Sequence, residues 1–416
     1  MSGTIRVPGD KSISHRSLIL ASLADGESRI RGILDSEDVR ATAEALRSLG
    51  AAIPSLAGEM LVKGAGLRGL RPPRHSLDCR NSGTTTRLLA GVVAANPFSA
   101  RFEGDASLSK RPMKRVAEPL TYMGAEFDFE HGDGLPMTVR GADLRSIDWN
   151  TRTSSAQVKS AILLAGLVAG LEVRVTEKSP SRDHTERMLR AMGADVETDG
   201  NQICLRPVRR LTPIEISVPA DPSSAAFFVA LASLAREGEL TLTDVLLNPT
   251  RTGFLEAMTR MGAHVDKTAT LATVGEEIGS LRVRPARLKS TRITEAEVPA
   301  LIDELPLLAC VAAGAGVELE ITGAAELRVK ESDRINAVVQ NLRAVGAEAE
   351  ELPDGLRVHA SRRELAGKID PRGDHRIAMA FGILSAASGN HIAVMNPQCV
   401  AVSYPHFWED LRRVSA

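Results

Sequence analysis

A helix ending in Gly-Ala and leading into a charged, alternating run occurs five times in this 416-residue chain. The endings are L-R-S-L-G-A, L-T-Y-M-G-A, L-R-A-M-G-A, M-T-R-M-G-A and L-R-A-V-G-A, with their glycines at Gly50, Gly124, Gly193, Gly262 and Gly346. Glycine suits the left-handed residue that closes a helix, and the alternation after it predicts a strand. Between these endings a second element recurs: an Ala-rich apolar helix, a glycine-containing turn and an alternating strand. It begins at Ala21, Ala165 and Ala232, with diverged copies at Ala90, Ala312 and Ala386, which makes six. The glycine spacings of 74, 69, 69 and 84 residues exceed the roughly 20–50 residues of a solenoid repeat. They suit a βαβαβ-sized subdomain, so an α/β protein of six repeated units is expected, three in each of two domains. The last copy stops in the helix 407–414, and the N-terminal strand 4–7 is expected to complete it, which places both termini in one domain. The run V-P-A-D-P-S-S at 218–224 breaks the pattern and marks a crossing. The expected domains are 1–9 with 222–416, and 10–221.

Composition removes several classes of function. Lysine and arginine number 51 against 52 acids, a net charge of −1, so no overall field draws nucleic acid or a membrane surface. Aromatic residues make up only 3%, too few for base-stacking platforms. The four cysteines, Cys79, Cys204, Cys310 and Cys399, lie far apart without zinc or redox spacing and read as reduced thiols. The opening residues show no signal or transit pattern, and no apolar run approaches the roughly 20 residues of a membrane span. A cytoplasmic protein acting on small molecules, without nucleic-acid or membrane partners, is expected.

The chemistry is carried by clusters at helix starts. P-G-D-K-S-I-S-H-R-S at 8–17 sets Lys11, Ser12, Ser14, His15 and Arg16 before an apolar helical run. Free N–H groups and the positive end of the helix dipole favour an anion there, although a capped surface helix would use similar residues. N-S-G-T-T-T-R at 81–87 places Gly83 where a missing Cβ lets an anion approach the backbone. G-D-A-S-L-S-K-R-P-M-K-R at 104–115 gathers Lys110, Arg111, Lys114 and Arg115 around Pro112. Ser154 to Lys159 offers hydroxyl, amide and ammonium groups together, and Ser181-Arg182-Asp183-His184 follows. Asp303-Glu304 precedes an apolar helix, and an N-cap accounts for one of the two carboxylates. In R-V-K-E-S-D-R at 328–334, Lys330 and Arg334 are spaced to share a helix face beside Glu331. Asp374-His375-Arg376 opens the last apolar run. The G-x-G-x-x-G at 64–69 is followed by Leu-Arg-Pro-Pro where a dinucleotide site needs a helix, and is rejected.

In their order along the chain, P-G-D-K-S-I-S-H-R, N-S-G-T-T-T-R, G-D-A-S-L-S-K-R-P-M, S-A-Q-V-K-S-A, S-R-D-H-T-E, D-P-S-S-A-A-F, R-V-K-E-S-D-R and D-H-R-I-A-M resemble the 5-enolpyruvylshikimate-3-phosphate synthase family of enolpyruvyl transferases. The resemblance implies two domains of three βαβαββ units each, around a pseudo-threefold axis, with the active site in the interdomain cleft. It implies transfer of the enolpyruvyl group of phosphoenolpyruvate to the 5-hydroxyl of shikimate-3-phosphate, with no metal or cofactor, by a monomer. The family's shikimate-3-phosphate contacts fall on Lys11, Ser12, Arg16, Ser155, Gln157, Arg182, Asp303 and Lys330. Its phosphoenolpyruvate contacts fall on Lys11, Gly83, Arg111, Gln157, Arg334 and Arg376. The matching catalytic groups are Asp303, Glu331 and Lys11, and the roles of the two carboxylates stay open. The resemblance also implies inhibition by glyphosate, slightly longer than phosphoenolpyruvate and bound in the same subsite. Two positions depart from the family pattern: Val402 stands where many members have lysine, and Arg80 where glycine is common. The related transferase acting on UDP-N-acetylglucosamine is a poorer match. It has Lys-Asn where this chain has Lys11-Ser12, and a loop cysteine that 106–114 lacks. An inactive binding homologue would tolerate loss of Asp303, Glu331 or Lys11, and all three are present.

Overall fold

The computed structural model describes residues 2–152, 154–387 and 389–415. Its described strands form six sheets, each with one parallel pair; in four of them the pair is joined through an apolar helix, and antiparallel strands follow where the copy is complete.

Unit 2 comprises residues 9–218 together with Thr273–Glu276. In its second copy Leu77–Asp78 pairs in parallel with Ser99–Glu103 through the helix Gly83–Ala94. Ser99–Glu103 then pairs antiparallel with Met137–Arg140, and Glu126–Phe129 lies at the edge. The third copy repeats this with Ile147–Asn150, the helix Ala156–Ala169, Val173–Thr176 and the hairpin Val196–Asp199 with Gln202–Leu205. The first copy begins with the helix Lys11–Leu23, and Glu27–Arg31 takes its parallel partner from Glu215–Ser217, late in the chain.

Unit 1 comprises the residues up to Pro8, 219–272 and those from Glu277 onward. Its crossover helices are Pro222–Leu234, Leu305–Ala315 and His375–Ala386. The N-terminal strand Ser2–Ile5 pairs with Glu239–Leu246 in the fourth copy. It does not complete the last copy, as the sequence led us to expect. That copy keeps a two-stranded sheet, Ala366–Ile369 with His391–Val394. The unit changes fall at Pro8–Gly9 and Val218–Pro219. The second falls within the pattern break at 218–224, three residues before the boundary expected at 221/222: Ala220 N–H donates to Asp244 O and Asp221 N–H to Pro8 O, tying 219–221 into unit 1.

The five Gly-Ala glycines all take positive φ, between 83° and 122°, the helix-closing conformation inferred from the sequence. The crossover helices are nearly all buried, with Leu, Ile, Val and Ala on every side. The second helix of each copy is amphipathic and polar outward, as in Glu37–Ser48 and Arg334–Ala344. The stretch Val298–Ala315 is apolar and long enough to meet a membrane-span test by length, contrary to the sequence expectation. It is two helices joined by a 3-10 turn that holds Asp303 and Glu304, and it is two-thirds buried in the fold.

One close approach bears on the site. A Cβ on Gly91 would lie 2.2 Å from the carbonyl oxygen of Ala161, so glycine lets Gly83–Ala94 pack directly on Ala156–Ala169. That packing sets the first turns of the two helices, with Gly83 and Gln157, side by side. Gly91→Ala is expected to destabilise the fold by about 1–3 kcal/mol through overpacking against backbone. Denaturant unfolding measures it, and an unchanged midpoint would refute the packing role.

Candidate active site

The six crossover helices start at the carboxyl ends of strands, where α/β folds gather ligands. Five of the polar clusters read from the sequence sit at those starts, and those at 104–115, 181–184 and 328–334 lie at the second helix of a copy. In unit 2, Asp10 caps Lys11–Leu23 by accepting from Ile13 N–H at 2.7 Å. Lys11 Nζ lies 2.9 Å from Asp38 Oδ2. Arg16 Nε donates to Thr185 Oγ1 at 2.7 Å, its Nη2 to Ser160 Oγ at 2.9 Å and its Nη1 to the Ser12 carbonyl at 3.0 Å. These neutral oxygens orient the guanidinium. Burial, then the charges of Lys11 and Arg16, hold His15 well below the usual histidine range, so its ring is neutral at pH 7. His15 Nδ1 lies 2.6 Å from Thr42 Oγ1, which lies 2.6 Å from Thr85 Oγ1, and Thr85 donates to Ser82 Oγ at 2.7 Å. This buried chain joins the first cluster to the second, since Ser82 also caps Gly83–Ala94.

At Gly83 the close packing yields a cationic cradle. A Cβ there would meet Arg87 Nη1 at 3.0 Å and Arg111 Nη1 at 3.5 Å. Arg87 Nη1 donates to Gln157 Oε1 at 2.6 Å, and Gln157 Nε2 donates to Thr84 Oγ1 at 2.9 Å. Arg111, 7% exposed, is held by Asn81 Oδ1 at 2.5 Å. Gly83, Arg111 and Gln157 are therefore brought together, with Arg87 as a member the sequence reading passed over. Gln157 and Ser160 are three apart on one helix, so the cradle adjoins the Arg16 cluster. Ser155 occupies the N-cap position of Ala156–Ala169, half-buried, its side chain making no cap bond. Arg182 is half-buried just before the helix His184–Ala191. Lys159 does not join Gln157, from which a two-residue step turns it to the far helix face. It is buried, 2.7 Å from both Glu177 and Glu186. Burial opposes the Lys159 charge, but the two carboxylates outweigh it and raise its pKa; burial raises that of Glu186. Lys159 thus ties the helix to its sheet.

In unit 1 the five candidate residues converge. Arg334, 1% exposed, is the hub. Its Nε lies 2.8 Å from Asp374 Oδ2, its Nη1 3.1 Å from Asp303 Oδ1 and its Nη2 2.6 Å from Glu331 Oε2. Burial opposes its charge, but Asp374, Glu331 and Asp303 together raise its pKa further. Lys330 Nζ stands 3.5 Å from Asp303 Oδ1. Arg376 Nη1 donates to the Asp303 carbonyl, with Nη2 3.9 Å from Asp303 Oδ2 and Nη1 3.3 Å from Glu304. Lys330 and Arg334 do not share a helix, as their spacing suggested: Asp333 caps a helix that begins only at Arg334. Lys330 follows a 3-10 turn, and both side chains still reach Asp303. Asp374 was the missed member; it caps His375–Ala386 through Arg376 N–H at 2.9 Å and anchors Arg334. An aspartate immediately before an apolar run was the available signal.

The two departures resolve differently. Arg80 has φ of 51°, which explains why glycine is common there. Its side chain points to the surface and pairs with Glu44 at 2.7 Å. Val402 ends a 3-10 turn, half-buried, and supplies no charge. The rejected G-x-G-x-x-G segment forms no helix, and Gly64 is required because a Cβ would lie 2.1 Å from the Ala24 carbonyl.

The sequence and the fold as a whole are matched by known proteins. The family model for EPSP synthase (3-phosphoshikimate 1-carboxyvinyltransferase) matches residues 1–411. The 3-phosphoshikimate 1-carboxyvinyltransferase of Sulfurihydrogenibium sp. (strain YO3AOP1) is 48% identical over 420 residues, covering 100% of this chain and 97% of that protein. That of Aquifex aeolicus (strain VF5) is 46% identical over 420 residues, with coverage of 100% and 97%. Among solved structures, the EPSP synthase from Acinetobacter baumannii superposes with a TM-score of 0.87 at 41% identity, covering 100% of this chain and 96% of that one. The enolpyruvyl transferase NikO from Streptomyces tendae shares the fold, with a TM-score of 0.75 at 19% identity, covering 100% and 95%. With a family model spanning nearly the whole sequence and relatives this similar end to end, the chain belongs to the EPSP synthase family.

Proposed function

We propose that this protein transfers the enolpyruvyl group of phosphoenolpyruvate to the 5-hydroxyl of shikimate-3-phosphate and releases phosphate. The observation that carries the reading is the cluster in which Lys330, Arg334 and Arg376 surround Asp303 beside Glu331. Two phosphates and two carboxylates must be held while one proton is added and another removed. Arginines suit the first task and carboxylates the second. The substrate 5-hydroxyl attacks C2 of phosphoenolpyruvate as its methylene carbon takes a proton, giving a tetrahedral adduct. Loss of a proton from the resulting methyl group, with cleavage of the C–O bond to phosphate, restores the double bond. Asp303, contacted by Lys330, Arg334 and Arg376, is assigned the base role toward the 5-hydroxyl. Glu331, at Nη2 of Arg334, is assigned the proton exchange at the methylene carbon. Lys11, Ser12, Arg16, Ser155, Gln157, Arg182 and Lys330 would hold shikimate-3-phosphate, and Lys11, Gly83, Arg111, Gln157, Arg334 and Arg376 phosphoenolpyruvate.

A phosphate-release assay tests this reading. Release from phosphoenolpyruvate is expected with shikimate-3-phosphate and not with UDP-N-acetylglucosamine or with neither acceptor. Release with the nucleotide sugar, or with no acceptor, would overturn it.

The cradle at Gly83 gives a second expectation. A methyl group there would sit between the ends of Arg87 and Arg111. Overpacking of about 1–3 kcal/mol should act first on the longer ligand. Gly83→Ala is expected to raise the ratio of glyphosate Ki to phosphoenolpyruvate KM by about tenfold. A ratio unchanged in the variant would remove Gly83 from that subsite.

A further inference from the structure

The turn Thr273–Glu276 joins the strands His264–Thr273 and Glu276–Arg284, yet it groups with unit 2 rather than with the rest of its hairpin. It delivers a carboxylate, Glu276, to the first turn of the helix His184–Ala191. Glu276 Oε1 lies 2.7 Å from His184 Nδ1, and both side chains are fully buried. Arg187 closes the cluster: its Nε is 2.7 Å from Asp183 Oδ2 and 3.7 Å from Glu276 Oε2, and its Nη1 donates to the Gly275 carbonyl at 2.5 Å. Asp183, His184 and Glu276 bring their ligand atoms within 4.8 Å of one another, a spacing that would suit a metal ion. The Arg187 guanidinium already supplies the positive charge against two of them, so the cluster reads as an ion-paired knot.

A buried carboxylate is an expensive anchor, since apolar contacts would fasten a turn at lower cost. What it adds is direction. The bond to Nδ1 fixes the rotation of the His184 ring, and the Arg187 bonds fix the helix start from the other side. That same turn bears on two candidate ligands. Arg182 immediately precedes Asp183, and Thr185 Oγ1 accepts from Arg16 Nε while lying 2.7 Å from Ser160 Oγ. A shift of the 182–185 turn would therefore displace Arg182 directly and turn Arg16 through Thr185.

We infer that Glu276 is a positioning residue for shikimate-3-phosphate, fixing through His184 and Arg187 the turn that carries Arg182 and orients Arg16. The inference rests on the substrate assignment proposed above. The phosphoenolpyruvate cradle of Gly83, Arg87, Arg111 and Gln157 is held by its own bonds, so the effect is selective for one substrate.

The test is Glu276→Gln, which keeps size and an acceptor oxygen but loses the charge. Calorimetric Kd and KM for shikimate-3-phosphate are expected to rise on the order of tenfold, as misplaced binding groups do. KM for phosphoenolpyruvate and the saturated kcat should stay within about twofold. A double-mutant cycle with Arg182→Ala should be non-additive, because the two residues act through one turn. Should Glu276→Gln fail to fold, Glu276→Asp, with its charge retained but withdrawn by one methylene, is read the same way. Unchanged affinity for shikimate-3-phosphate, equal losses for both substrates, or additivity with Arg182→Ala would each overturn the inference. Failure of the unsubstituted protein to bind shikimate-3-phosphate would instead overturn the substrate assignment on which it rests.

Discussion

Glu331→Gln is expected to lower kcat by about 10²- to 10⁴-fold, the usual contribution of a general acid–base group. The geometry makes the substitution a clean one. Glu331 Oε2 accepts from Arg334 Nη2 at 2.6 Å, and a glutamine oxygen can accept the same bond. Size, reach and the hold on Arg334 are kept, while the capacity to exchange a proton at neutral pH is lost. Affinity for shikimate-3-phosphate should therefore stay within about threefold, since less than 1 kcal/mol of binding is at stake. Steady-state kinetics and calorimetry on the same preparation measure both quantities. Equal falls in kcat and affinity would make Glu331 a binding or structural residue, and the proton transfer would have to pass to Asp303 or Lys11.

The parts of this fold legible in the sequence are those set by local chemistry. Left-handed helix closure favours glycine, so Gly50, Gly124, Gly193, Gly262 and Gly346 showed the repeat before any pairing was known. Fully buried crossover helices show as uninterrupted apolar runs, and caps as Asp or Ser before them. Pairing across the chain was not legible. Ser2–Ile5 and Glu215–Ser217 each complete a sheet far along the sequence, and alternation in a short strand names no partner. The site divides the same way. Residues in recognisable strings, such as Arg111, Gln157 and Arg334, were found. Arg87 lies in such a string and was passed over because its partner, Gln157, is 70 residues away. Glu276 sits in an ordinary hairpin turn, and only the folded chain brings it to His184, 92 residues away. Lys159 lies beside Gln157 in sequence but not in space, because a two-residue step turns it to the far face of the helix, where it pairs with Glu177 and Glu186.

Arg334→Met is expected to cost about 3–5 kcal/mol of stability, the range for removing one partner of a buried ion pair. Arg334 is 1% exposed and faces Asp374, Asp303 and Glu331. Methionine fills much of the volume but leaves these carboxylates without their shared cation, and Asp374 is fully buried. The melting temperature should fall by roughly 6–20 °C, taking about 2–4 °C per kcal/mol for a unit of this size. The deficit should depend on pH in a definite direction. A buried carboxylate without its cation has its folded pKa raised above the unfolded value. Its protonated form is therefore tolerated at low pH, and stability is lost as pH rises through the folded pKa. The gap between variant and parent should thus widen from pH 5 to pH 8. Arg334→Lys separates structure from binding. It restores one positive charge and much of the stability, but a lysine has no planar fork with which to hold Asp374, Asp303, Glu331 and a substrate carboxylate at once. KM for phosphoenolpyruvate should therefore remain raised in Arg334→Lys while the melting temperature recovers. A melting temperature in Arg334→Met within about 2 °C of the parent would show that the carboxylates are stable without this cation. Recovery of both quantities in the lysine variant would show that charge alone, and not the guanidinium geometry, is what the site requires.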